Sequence, residues 1–143
     1  MRRIVNQFRL ILFLLSPLIP LSVAAETIIA HSSVQQDQLK RSYALSVFSM
    51  KAGRWPDGQK ISVFVLPDRH PSHIRFVKNS LHIFPYQLRN IWDRAVFSGT
   101  GQPPVTVSDR EQMLLMVRST KGAIGYLDQG WEGANGVKII YVD

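Results

Sequence analysis

Over residues 10–23 apolar side chains follow one another almost without a break. After that they return at the spacings of strands and helices. The run over 27–30 predicts a short first strand. From Gln35 to Met50, Leu39, Tyr43 and Val47 recur with Ala44 and Phe48 beside them, which predicts one helical face with Gly53 as its stop. Arg54-Trp55-Pro56-Asp57-Gly58 predicts a tight turn in which Asp57 bonds its own downstream backbone. Residues 61–66 are nearly continuously apolar, the mark of a strand covered on both faces, and Pro67 ends it. Ser72 is the expected cap of a helix carrying Ile74, Val77 and Leu81 on its inner face. Pro85 suits the first turn of a third helix, in which Leu88, Ile91, Trp92, Ala95 and Val96 make a complete stripe before Gly99. Ser108-Asp109-Arg110-Glu111 has the spacing of a capping box, ahead of a helix presenting Met113, Leu114 and Val117. Two more strands are expected over 123–127 and 137–142, joined by the Gly-rich loop 128–136.

Strands alternate with helices, and the clearest strand is a buried run. The pattern therefore predicts an α/β fold, a small mixed sheet flanked by helices on both faces. Sheets of this kind take ligands at the carboxyl ends of their strands, which points first at the loop after Leu66.

The opening stretch does not belong to this pattern. Arg2, Arg3 and Arg9 precede an apolar run interrupted by Pro17 and Pro20, and Val23-Ala24-Ala25 closes it with small residues. Those are the three parts of a secretory signal, on a run shorter than the roughly 20 residues of a membrane span. Residues 1–25 are thus expected to be a removable signal peptide, and 26–143 one periplasmic or secreted domain. Removing three of 17 basic residues and none of ten acidic ones lowers the formal charge from +7 to +4. That charge is spread along the chain, with no basic tract interleaved with aromatics, so nucleic acid is not an expected partner. There is no cysteine, which excludes thiol nucleophiles and Cys-based metal centres.

Catalytic patterns are missing too. No Gly-x-Ser-x-Gly elbow and no phosphate-cradling Walker loop occurs. His70 and His73 lie three apart, with His82 beyond them, but no further metal ligand stands in place. No cofactor, metal or enzymatic role is expected. Of the three tryptophans, Trp92 reads as core, Trp55 as packing for the turn, and Trp131 as the exposed one.

Several stretches resemble the phosphate-binding protein of bacterial phosphate ABC transporters. Phe48 to Gly58 resembles that family's helix end followed by Trp-x-Asp-Gly. Gly122-Ala123-Ile124-Gly125-Tyr126 resembles its Gly-Ala-Ile-Gly-Tyr. The strand at Ile61, the helices at Ser72 and Pro85, and Gly101-Gln102-Pro103-Pro104 fall between them in the family's order. The resemblance implies a single small lobe of type II periplasmic-binding-protein type, the second of the family's two. It also implies an oxyanion site, for phosphate or a similar anion, at an Arg and a Ser-Gly-Thr opening a helix. Here Arg69 keeps the Arg place and Ser72 the Ser place, while His73-Ile74 stand where Gly-Thr would be. The implied anion contacts are therefore Arg69, Ser72 and His73, with an imidazole whose protonation would favour an anion at acid pH. The same three residues also read as a helix cap with two solvated neighbours. A second function class stays open, a ligand-free interaction module of the cell envelope, marked by an apolar patch around Trp131 and Tyr126. An ABC permease or another envelope protein is the implied partner. A second copy of the chain is another, since one lobe makes half a cleft.

Overall fold

β5 (Ala123–Leu127) is buried along its whole length and is central to the architecture. β1 (Thr27–His31) runs antiparallel beside it, with Ile29 opposite Gly125 and Ile28 opposite Tyr126. β3 (Ser62–Val65) pairs parallel on its other side. The sheet is completed by β2 (Gln38–Leu39), β4 (Val105–Thr106) and β6 (Val137–Val142), in the order β2-β6-β1-β5-β3-β4. This computed structural model describes residues 26–128 and 136–143. The expected signal peptide, most of the Gly-rich loop and Trp131 lie outside the described residues.

Successive residues of a strand face opposite sides, and β5 uses this to sort the helices. Gly125 faces α4 (Arg110–Ser119), so closely that a Cβ there would overlap Met113 Sδ. Tyr126 faces the other way, onto Phe76 of α2 (Pro71–Asn79) and Phe48 of α1 (Arg41–Phe48). α3 (Pro85–Phe97) packs outside these, tied by Trp92 Nε1 donating to the Phe48 carbonyl at 2.9 Å. Helices therefore cover both faces of a mixed sheet, as the alternating pattern implied.

Local expectations are corrected in each of the four helices. The helix expected from Gln35 begins at Arg41, because residues 38–39 pair with β6 and bury Leu39 as a strand residue. Its left-handed stop is Met50, with φ +65°, and the Lys51 N–H closing onto the Ser46 carbonyl ends the helix before Gly53 is reached. α2 is capped by His70, whose Nδ1 accepts from the Ser72 N–H at 3.2 Å; Ser72 is inside the helix. The inner face moves accordingly to Ser72, His73, Phe76 and Val77, and Ile74 is exposed. α4 is capped one residue later than expected, by Asp109 accepting from the Gln112 N–H at 2.8 Å. The stripe of α3 buries Leu88 and Trp92 but leaves Val96 half-exposed. β4 had no legible signal, since both of its residues are exposed on a sheet edge.

The turn at 54–58 forms as expected. Gly58 takes φ +89°, and Asp57 Oδ1 accepts from the Gln59 N–H at 3.0 Å. Trp55 is buried and donates from Nε1 to the Gly122 carbonyl at 3.0 Å. The two stretches that carry the family resemblance therefore meet at the amino end of β5.

Candidate functional site

β3 and β5 run parallel and finish side by side, so Leu66 and Leu127 floor one crevice at their carboxyl ends. The β3–α2 loop turns there through the His70 N–H bonding the Pro67 carbonyl at 2.9 Å. It delivers His70 and Ser72 to one wall. The start of α4, Asp109 to Glu111, makes the opposite wall, and Asp128 closes the side. The cavity, open on one side, measures about 200 Å³, room for a small anion and a few waters at ~30 Å³ per water.

Two helix N-termini thus converge on one cavity, a geometry suited to negative charge. What each offers differs by residue. In α2, Pro71 has no N–H and the Ser72 N–H is held by His70. The His73 N–H is the remaining first-turn N–H of α2, on a residue that does not itself line the cavity. The Ser72 hydroxyl accepts from Arg75 Nη2 at 3.2 Å, leaving its own proton to donate. Arg75 is in turn fixed by Nε donating to Glu26 Oε1 at 2.6 Å, where the Glu26 side chain is 1% exposed. On the α4 side the Arg110 guanidinium pairs with Asp128 at 3.2 Å. The walls also carry Asp109 and Glu111, so carboxylates outnumber guanidinium groups around the cavity.

The three residues singled out by sequence sit at three depths. Arg69 is exposed on the β3–α2 loop and does not line the cavity. Ser72 lines it. The His73 ring lies beneath, 1% exposed. Its Nδ1 is 2.5 Å from the Tyr126 hydroxyl, which also accepts from the buried Leu66 N–H at 2.9 Å. Burial pushes the His73 pKa down to about 4, against an opposing pull from the Asp68 carboxylate and with further lowering by Arg89 and His70. Burial also raises the Tyr126 hydroxyl above its ordinary value. The imidazole expected to protonate beside an anion is thus held neutral at physiological pH.

Asp68 does not neutralise its neighbour Arg69. It takes a two-bond fork from Arg89 of α3, at 2.8 and 2.7 Å, and that guanidinium also covers the Trp92 ring at 5.0 Å. The Arg89 bonds hold the Asp68 carboxyl below its usual range. Among the described residues no group of three His, Asp or Glu is placed to hold a metal. Ser98-Gly99-Thr100 closes α3, with Gly99 at φ +69° and the two hydroxyls 2.8 Å apart, which is a helix stop. Arg75, Arg110, Glu26 and Asp128 were not singled out by sequence. Arg75 lies one turn along α2 from Ser72 and touches its hydroxyl, Arg110 comes from α4, and Glu26 and Asp128 flank strands, so only the fold brings the last three near Ser72.

No family model matches the sequence, and no curated protein matches it. Solved structures match the fold. One is an ABC-type phosphate transport receptor from Vibrio cholerae, 17% identical with a TM-score of 0.60, aligned over 83% of this chain and 46% of that one. Another is PstS from Borrelia burgdorferi, at 12% identity and a TM-score of 0.63, over 84% and 47%. A third is a putative phosphate ABC transporter substrate-binding protein with bound phosphate from Clostridium perfringens, at 15% and 0.58, over 84% and 45%. The likeness is one of fold, and this chain spans less than half the length of each. The α/β architecture implied by the sequence resemblance is therefore the architecture found, at the size of a single lobe.

Proposed function

We propose that residues 26–143, freed by export from a signal peptide at 1–25, form a non-enzymatic binding module that holds phosphate or a similar oxyanion. The observation that carries this reading is the cavity where the first turns of α2 and α4 meet at the carboxyl ends of β3 and β5. The Ser72 hydroxyl is the direct donor, Arg69 attracts the anion from the rim, and the His73 ring supports the wall from behind. One wall faces open solvent in a single lobe. A second copy of the chain, or an envelope protein such as an ABC permease, would complete the cleft. Among the described residues no helix is long and apolar enough to cross a membrane.

Titration calorimetry of residues 26–143 with phosphate, and with sulfate as control, tests the reading. Saturable phosphate heat that Ser72→Ala weakens supports it. No heat from a folded sample ends it and favours the interaction module. That second reading has its own observation, Phe97 at 93% and Tyr141 at 67% exposure. Its expected patch does not include Tyr126, which is fully buried.

A further inference from the structure

Leu66 is the residue at which β3 leaves the sheet and enters the cavity floor. Its buried N–H is accepted by the Tyr126 hydroxyl at 2.9 Å. A phenol has one proton. With its oxygen accepting from Leu66, that proton is available to His73 Nδ1, 2.5 Å away; in that arrangement the imidazole is the tautomer protonated on Nε2. His73 follows Ser72 directly on α2. One hydroxyl on β5 therefore ties the end of β3 to the first turn of α2, directly beneath the cavity. The Tyr126 ring cannot tilt away, because it stacks on Phe76 with centroids 3.9 Å apart and planes 9° apart.

We propose that the His73 and Tyr126 side chains form a strut that sets the inner wall of the cavity, with the His73 imidazole a positioning group that acts on the ligand through Leu66 and Ser72. In this arrangement the strut needs His73 neutral with Nδ1 unprotonated, since only a bare Nδ1 can accept the tyrosine proton. The charged or titratable groups facing the pair are Asp68 and His70 from the β3–α2 loop, Arg89 from α3 and, towards Tyr126, Glu26 before β1. Burial outweighs Asp68 and keeps the imidazole an acceptor.

The binding arm of the test rests on the phosphate reading; the exchange arm does not. Three variants of the full chain are compared, His73→Leu, His73→Asn and Tyr126→Phe. Amide hydrogen exchange at Leu66 and Ser72 is read by NMR, and phosphate affinity by calorimetry. His73→Leu should speed Leu66 exchange about tenfold and weaken phosphate by a similar factor, the size of one hydrogen bond. His73→Asn places an amide oxygen near the Nδ1 position and should restore both. Leu66 exchange unchanged by His73→Leu, or an Asn variant as impaired as the Leu one, overturns the strut. If the wild-type chain takes up no phosphate, the functional reading falls and the strut stands or falls on Leu66 exchange alone. If His73→Leu does not fold, Tyr126→Phe, which keeps the stacked ring, carries the test: Ser72 exchange must rise with that of Leu66.

Discussion

The two ends of the sheet are built in opposite ways. At the amino end of β5, Gly122 gathers bonds until nothing is left over. Its N–H donates to Ser33 Oγ at 3.1 Å, and its carbonyl accepts from Trp55 Nε1 at 3.0 Å and from the Ser62 N–H at 3.3 Å. Its φ is +74°, and a Cβ would overlap the Lys60 carbonyl oxygen. At the carboxyl end the polar side chains of His70, Ser72, Asp109, Arg110, Glu111 and Asp128 line an open cavity. A closed end stabilises and tolerates no change of shape. An open end tolerates change and has donors to offer.

Substitution at Gly122 should therefore have the largest effect. Gly122→Ala adds a left-handed penalty and a backbone overlap, and should lower stability by about 3 kcal/mol or more. Its urea midpoint measures this, and a loss under 1 kcal/mol would mean that the closed end yields more than its geometry implies.

Acid should cost nearly as much, through the layer between the two ends. His73 has a folded pKa of about 4 against about 6.5 in an unfolded chain. Between those values the unfolded chain takes up a proton that the folded chain refuses. Stability should fall as pH drops from about 6.5 to about 4, by up to about 3 kcal/mol, and this contribution should level off below. Urea midpoints across that range, repeated with His73→Asn, isolate it: the variant should show a flatter slope.

At the open end, Ser72→Ala should weaken phosphate binding about tenfold or more, the worth of a hydrogen bond to a charged group. The same change should move the urea midpoint little, because His70 and not Ser72 caps α2. An unchanged affinity would take Ser72 out of the site. Arg69→Ala should have the smallest effect, about twofold to fivefold on affinity and vanishing at high salt, since an exposed charge acts through a screened field. Calorimetry at two ionic strengths separates this from a direct contact.

The hydrophobic spacing along the chain was enough for the strands at 27–30, 61–66, 123–127 and 137–142, for the helices, and for the turn at Asp57 and Gly58. Those features depend on neighbours a few residues apart. The candidate site was only half legible. The loop after Leu66 was pointed to by the rule for sheet ends, and Ser72 by the Ser place in the family resemblance, while its expected role as helix cap fell to His70. Arg110 and Asp128 stayed hidden because they meet only when α4 packs over β5. The helix register of α2 slipped because His70, a poor capper by composition, takes the Ser72 N–H once Pro71 follows it. The direction of the His73 ring was beyond local reasoning altogether. Whether an imidazole faces solvent or core depends on what lies under it, and the residue under it, Tyr126, is 53 positions away. Short-range periodicity was sufficient to place the elements. Only the packing of β3, β5, α2 and α4 decided which donors face the cavity and which are used up beneath it, because burial and hydrogen-bond satisfaction depend on contacts across the whole fold.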